Sequence, residues 1–215
     1  MQLDLPIVVA EPIPVLYIEM DGTGVPVRKA ETEGRSGKIA GQPAHTREAK
    51  LGCIFTQTTY DEEGYAIRDP DSTTYTGAIE TATEFGKRLY LEAWNRGCSR
   101  ALTKVVLGDG AEWIWNIASQ HFPGAIEIVD LYHARQHLWN VARCLYPLDP
   151  AAQRRWILRH QPKLDSGRIE KLVAYLRSLQ ADSPNVIETI TIEAAYFEKN
   201  TRRMRYPEFR SSICL

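Results

Sequence analysis

Two apolar segments of this chain each run into an Asp-Gly pair. Val15-Leu16-Tyr17-Ile18-Glu19-Met20 leads to Asp21-Gly22, and Lys104-Val105-Val106-Leu107-Gly108 leads to Asp109-Gly110. A carboxylate at the end of a buried strand is held more rigidly than one on a surface loop. The glycine after it lets the backbone turn away, so that a cation or a phosphate can approach closely. Two such ends side by side make an all-oxygen site suited to Mg²⁺. Taken singly, each Asp-Gly reads first as a turn after a strand. Two matching cases, with further motifs downstream, point to metal-assisted chemistry on phosphodiesters.

The elements that must position these residues follow from composition and pattern. The chain has 215 residues, 44% hydrophobic and 25% charged, enough for one well-filled domain with an appendage or for two small ones. It contains no apolar run long enough for a transmembrane helix, and its start has no basic region and is broken by Pro6, Pro12 and Pro14, unlike a signal or transit peptide. Cys53, Cys98, Cys144 and Cys214 are scattered, which argues against a disulfide framework or zinc knuckle and fits a reducing cytoplasm. Residues 1–130 hold 12 Lys+Arg against 19 Asp+Glu, and residues 131–215 hold 14 against 8. An acidic half suits cations and a basic half suits a polyanion such as DNA, although solvated charged faces give the same split.

Residues 1–14 read as an extended, Pro-rich lead-in. A strand over about 15–20 ends at Asp21, and residues 28–50, rich in Gly and charge, read as a long hairpin loop. Strands over 51–60 and from Tyr65, joined by the turn 61–64, would complete a three-stranded meander. A helix is predicted over 77–96, capped by Thr76, stopped by Gly97 and buried along Ile79, Ala82, Phe85 or Gly86, Leu89 and Ala93. The strand to Asp109, a short helix over 110–121, a strand over 125–129 ending at Asp130 and a helix from Leu131 to Tyr146 follow. This order is that of a ribonuclease-H-like α/β fold, a mixed sheet of about five strands with flanking helices, in which the first and fourth strands are adjacent. Beyond Pro147 only helices are predicted, over 150–160, 166–181 and 184–203, the first capped by Asp149 with Pro150 at its first position.

Three segments, YIEMDGTGVP (17–26), LGDGAEWIW (107–115) and DLYHA (130–134), resemble the ISKra-type insertion-sequence transposases of the DDE superfamily. The likeness runs from about residue 15 to 210. It implies a ribonuclease-H-like catalytic core over 15–146, in which two Asp and one Glu bind two Mg²⁺ (or Mn²⁺) ions. An all-helical insertion region over 147–215 would separate the second Asp from the Glu. Asp21 and Asp109 become the catalytic, metal-binding carboxylates. The implied partners are DNA, as transposon ends and target, and further copies of the chain on that DNA. The implied setting is the bacterial cytoplasm and nucleoid, with no membrane. Carboxylates suit the reaction because in-line displacement at phosphorus is served by two ions about 4 Å apart, one at the attacking and one at the leaving oxygen.

Asp130 and His133 match a further pattern of the superfamily, and would either orient active-site groups or touch the scissile phosphate, or else serve as an N-cap and a structural His. His133 and His137, one helical turn apart, could share a metal, but no third ligand is evident. Trp113, Trp115 and Trp139 read as packing residues, with base stacking as the alternative. Glu112 reads as a first-turn helix residue. Of the later basic residues, the cluster Lys199, Arg202, Arg203 and Arg205 is assigned to DNA phosphates, against solvated faces as the competitor. The family's third carboxylate follows a segment like RMRYPEFR (203–210), within a Gly/Ser-rich stretch for which this sequence has no counterpart; Glu188, Glu193, Glu198 and Glu208 all precede that position and are expected to be poorly placed. The family's N-terminal DNA-end-recognition region also has no counterpart. The expectation is a truncated transposase, inactive in transposition by itself. The competing readings are a non-catalytic DNA-binding or assembly-poisoning remnant, and a ribonuclease-H-like nuclease.

Overall fold

In strand β1 (Ile13–Pro26), Leu16, Tyr17, Ile18 and Met20 are almost wholly inaccessible. Consecutive residues of a strand point to opposite faces, so this stretch is covered on both. The structure is a computed structural model and describes residues 11–34 and 44–213. β1 pairs antiparallel with β2 (Thr46–Thr56), and a separate two-stranded hairpin joins β3 (Thr59–Tyr60) to β4 (Ala66–Ile67). β5 (Thr74–Ala78) pairs antiparallel with β2. Helix α1 (Ala82–Asn95), β6 (Ala101–Gly108), α2 (Glu112–His121), β7 (Ile126–Val129) and α3 (Leu131–Leu145) follow. The main sheet has five strands in the order β5-β2-β1-β6-β7. This is the ribonuclease-H-like mixed sheet with flanking helices expected from the element order, succeeded by helices alone. These are α4 (Pro150–Asp165), α5 (Ile169–Ser178), α6 (Pro184–Lys199) and α7 (Tyr206–Ile213).

Several elements differ from expectation. The third strand of the main sheet is β5, not the segment from Tyr65, which forms the small hairpin. The predicted helix over 77–96 therefore begins later. Thr76 lies in β5, Thr81 is the cap, accepting from the Glu84 amide at 3.3 Å, and Ile79 remains 40% exposed. Its buried face of Phe85, Gly86, Leu89 and Ala93 is as expected, and Gly97 stops it at a φ of 85°. Residues 46–50 of the predicted loop belong to β2; Arg35 and Lys38, like residues 1–10 of the lead-in and Cys214, lie outside the described residues. Helix α4 continues through Pro162, because Leu164 is fully buried and the Asp165 carboxylate is bound by Arg135 of α3 at 2.9 Å. That packing offsets the backbone hydrogen bond the proline cannot make.

The chain forms two compact units, Met1–Val106 with Ile117–Ile126, and Leu107–Asn116 with Glu127–Leu215. In the first, Tyr17 stacks on Phe55 with centroids 5.0 Å apart, and α1 lays Phe85 and Leu89 over Gly52 of β2. In the second, the buried residues include Leu138 and Val141 of α3, Leu164 of α4, Leu172 and Leu176 of α5, and Ala194 and Phe197 of α6. No helix among the described residues is long and apolar enough to cross a membrane.

Candidate active site

Asp21 is not at a strand end. The ladder between β1 and β2 continues past it, from Asp21 opposite Leu51 to Pro26 opposite Thr46. What ends there is burial: Met20 is 1% exposed, whereas Asp21 is exposed. The apolar run predicted where the core stops, and the hydrogen-bonded ribbon runs on without it. Asp21 Oδ1 accepts from the Gly22 amide at 2.7 Å, and Asp21 enters no ion pair among the described residues.

Asp109 does follow the end of its strand. Its Oδ1 accepts from the Ala111 amide at 2.8 Å, and Gly110 makes the turn with φ of 104°. The Gly108 carbonyl accepts from the Asp130 amide at 2.8 Å, so Asp109 and Asp130 leave the same end of β6 and β7. Asp130 caps α3, taking the His133 amide at 2.8 Å, with His133 Nδ1 3.3 Å from the same oxygen. The capping half of the paired reading of Asp130 and His133 is thus visible in the structure.

Residues of α6 that the sequence reading did not assign meet this turn. The Tyr196 hydroxyl donates to the Asp109 carbonyl at 2.7 Å, and its ring stacks on His137 with centroids 3.6 Å apart. His137 Nδ1 donates to Glu193 Oε2 at 2.6 Å, and Asn140 donates to Glu193 Oε1 at 3.0 Å. Burial pushes the Tyr196 phenol well up, and the negative charges of Asp109, Glu193 and Asp130 push it further. Glu193 therefore shares the neighbourhood of Tyr196 with Asp109 and Asp130, although it sits inside the helical region. Both of its oxygens are engaged by α3 and its side chain is only 7% exposed, so it acts as a buried acceptor. His133 and His137 have separate partners and share none. One signal in the sequence bears on this: His137, Asn140 and Glu193 are polar residues on helices whose other inward positions are apolar.

Of the basic cluster, three members are ion-paired within their own unit. Lys199 meets Glu112 at 2.9 Å, Arg203 meets Glu127 at 2.6 Å, and Arg205 meets Glu170 and donates to the Gly167 carbonyl at 2.6 Å. Arg202 is exposed and enters no ion pair among the described residues. The Arg203 guanidinium also lies 4.4 Å over the ring of Trp115, which is buried; Trp113 and Trp139 are half-buried. Glu112 is a first-turn residue of α2 and is largely exposed.

As cation ligands, Asp21 and Asp109 fit in chemical type. Each is an oxygen donor that enters no ion pair among the described residues, the donor type a hard divalent ion prefers. No group of three His, Cys, Asp or Glu that could hold a metal is found among the described residues. Mg²⁺ is commonly bound through one or two carboxylates, with water and substrate phosphate completing its shell.

The fold defines an α/β protein of ribonuclease-H-like architecture. No family model matches the chain, and no curated protein matches it. Among solved structures it is similar to a chain of the Drosophila P element transposase strand transfer complex, with a TM-score of 0.33 and 10% identity, over 86% of this chain and 49% of that one. This chain thus spans about half the length of that transposase chain.

Proposed function

We propose that this chain carries the two-aspartate half of a DDE-type transposase site and acts on DNA phosphodiesters with Mg²⁺ or Mn²⁺. The observation that carries the reading is the strand order, in which β1, bearing Asp21, is the neighbour of β6, which leads to Asp109. On this reading Asp21 and Asp109 are each a metal ligand, and bound metal would supply charge neutralisation and an activated oxygen at phosphorus. The chain's own contribution is to fix Asp109 at the turn by hydrogen bonds, and among the described residues neither carboxylate enters an ion pair. Arg202 is the member of the late basic cluster free to contact a phosphate. Copies of the chain would assemble on the DNA.

The test is Mg²⁺-dependent nicking of supercoiled DNA by the purified chain, beside Asp109→Asn. Nicking that Asp109→Asn abolishes supports the reading; nicking that survives the substitution sinks it. The second reading is DNA binding without catalysis. It expects DNA retention with no nicking by either protein.

A further inference from the structure

We infer that Tyr196 is a positioning residue for Asp109, so that helix α6 sets the placement of the proposed metal-binding carboxylate; this rests on the reading of Asp109 given above. A side chain of the helical region bonds the backbone of the Asp109 turn, the Tyr196 hydroxyl donating to the Asp109 carbonyl at 2.7 Å. A side chain that fixes the main chain of a ligand-bearing residue helps to orient that ligand, one step further back than an outer-shell bond to the carboxylate itself. Tyr196 is itself held from behind. Its ring lies against His137 at 3.6 Å, and His137 is fixed in turn by Glu193, the buried carboxylate that also takes Asn140.

The turn is shaped to receive this ring. A Cβ on Gly110 would stand 2.7 Å from Tyr196 Cε2 and 3.2 Å from Asn200 Nδ2, so only glycine lets α6 come this close. One helical turn further on, Lys199 binds Glu112 at 2.9 Å, a second tie between α6 and the segment that follows Asp109. A residue whose only task was to fill space would not need its hydroxyl, and the carbonyl it serves belongs to the carboxylate-bearing residue itself.

The experiment uses the full chain, with Mn²⁺ alone as probe, in wild type, Tyr196→Phe, Gly110→Ala, Asp109→Asn and the remote core variant Val173→Ala. Mn²⁺ affinity and amide hydrogen exchange of segment 107–116 are measured well below the unfolding temperature of each. Loss of one well-placed hydrogen bond predicts roughly five- to tenfold weaker Mn²⁺ binding in Tyr196→Phe. Faster exchange should be confined to the 107–116 segment. Gly110→Ala should do the same from the other side of the contact, and Val173→Ala should change global stability only. Mn²⁺ affinity within twofold of wild type in both Tyr196→Phe and Gly110→Ala, while Asp109→Asn abolishes binding, overturns the positioning role and leaves the metal reading standing. Mn²⁺ binding unchanged in Asp109→Asn, or absent from wild type, overturns the metal reading and the inference with it.

Discussion

His160 offers the sharpest stability prediction. Its side chain is 3% exposed, stacked on Tyr175 with centroids 4.0 Å apart and set 4.5 Å from the Trp156 ring. Lys163 Nζ is 3.1 Å from its Nδ1. Burial disfavours the imidazolium most, and the charges of Lys163 and Arg159 add to this, so its pKa falls to about 4 from an ordinary 6.5. Above pH 6.5 folded and unfolded chains both hold a neutral ring, and the contribution is fully present. As the pH falls, the unfolded chain takes up a proton that the folded chain refuses until about pH 4. Stability therefore drops through that window and this group adds nothing further below it. The drop is about 2 kcal/mol between pH 7.5 and pH 5, at 1.36 kcal/mol per pH unit of linked protonation. Urea unfolding of wild type and His160→Leu at the two pH values isolates it. His121, which burial and Lys87 also hold low, contributes equally to both proteins and cancels in the comparison. The variant is expected to have the shallower pH dependence by about that amount. Equal pH dependence in the two proteins would refute the argument that His160 stays neutral in the fold.

Other substitutions probe the sheet and the polyanion reading. Gly52→Ala puts a Cβ 2.4 Å from Leu89 Cδ1 and 3.3 Å from Phe85 Cζ, and overpacking of this kind is expected to cost about 1–3 kcal/mol in denaturant unfolding. Asp69 accepts from the Thr56, Thr58 and Thr59 hydroxyls and from two backbone amides; burial raises its pKa, but these bonds outweigh it and hold the carboxyl far below its usual range. Asp69→Ala should speed proteolysis within 57–73, and in wild type the protection should be lost only as the pH falls below the ordinary carboxylate range, where the unfolded chain protonates first. Arg202→Ala should weaken DNA binding and lower the log–log salt slope by roughly 0.9, whereas Lys199→Ala, whose charge Glu112 already neutralises, should change the slope less.

Much of this protein was legible because its signals are local. The Asp130 and Asp149 caps, the Gly97 stop and the strand leading to Asp109 each depend on a few adjacent residues, and each stands where the pattern placed it. The buried stripe of α1 follows from its period, which burial against a sheet requires of any helix. From such elements in this order the fold class follows, because sheet connections have few alternatives, while the segment that supplies the strand beside β2 does not.

What the sequence could not decide depends on partners distant in the chain. β5 is five residues of alternating exposure whose strand state comes from pairing with β2, and its Thr-Tyr-Thr-Gly-Ala run lies against the start of a helical period that competed with it. β1 passes Asp21 because Thr46–Lys50 happen to face it, a matter of register rather than of apolar pattern. Pro162 stays helical because Leu164 and Asp165 are anchored by other helices. Similarly, Lys199, Arg203 and Arg205 read alike as a basic cluster until each meets its own carboxylate. The order of chemical types along the chain thus marks Asp21, Asp109 and Asp130 as candidates. Only the folding of α6 against α3 reveals that Glu193, through His137 and Tyr196, reaches the backbone of Asp109, since hydrogen bonds between helices leave no periodic trace in the sequence.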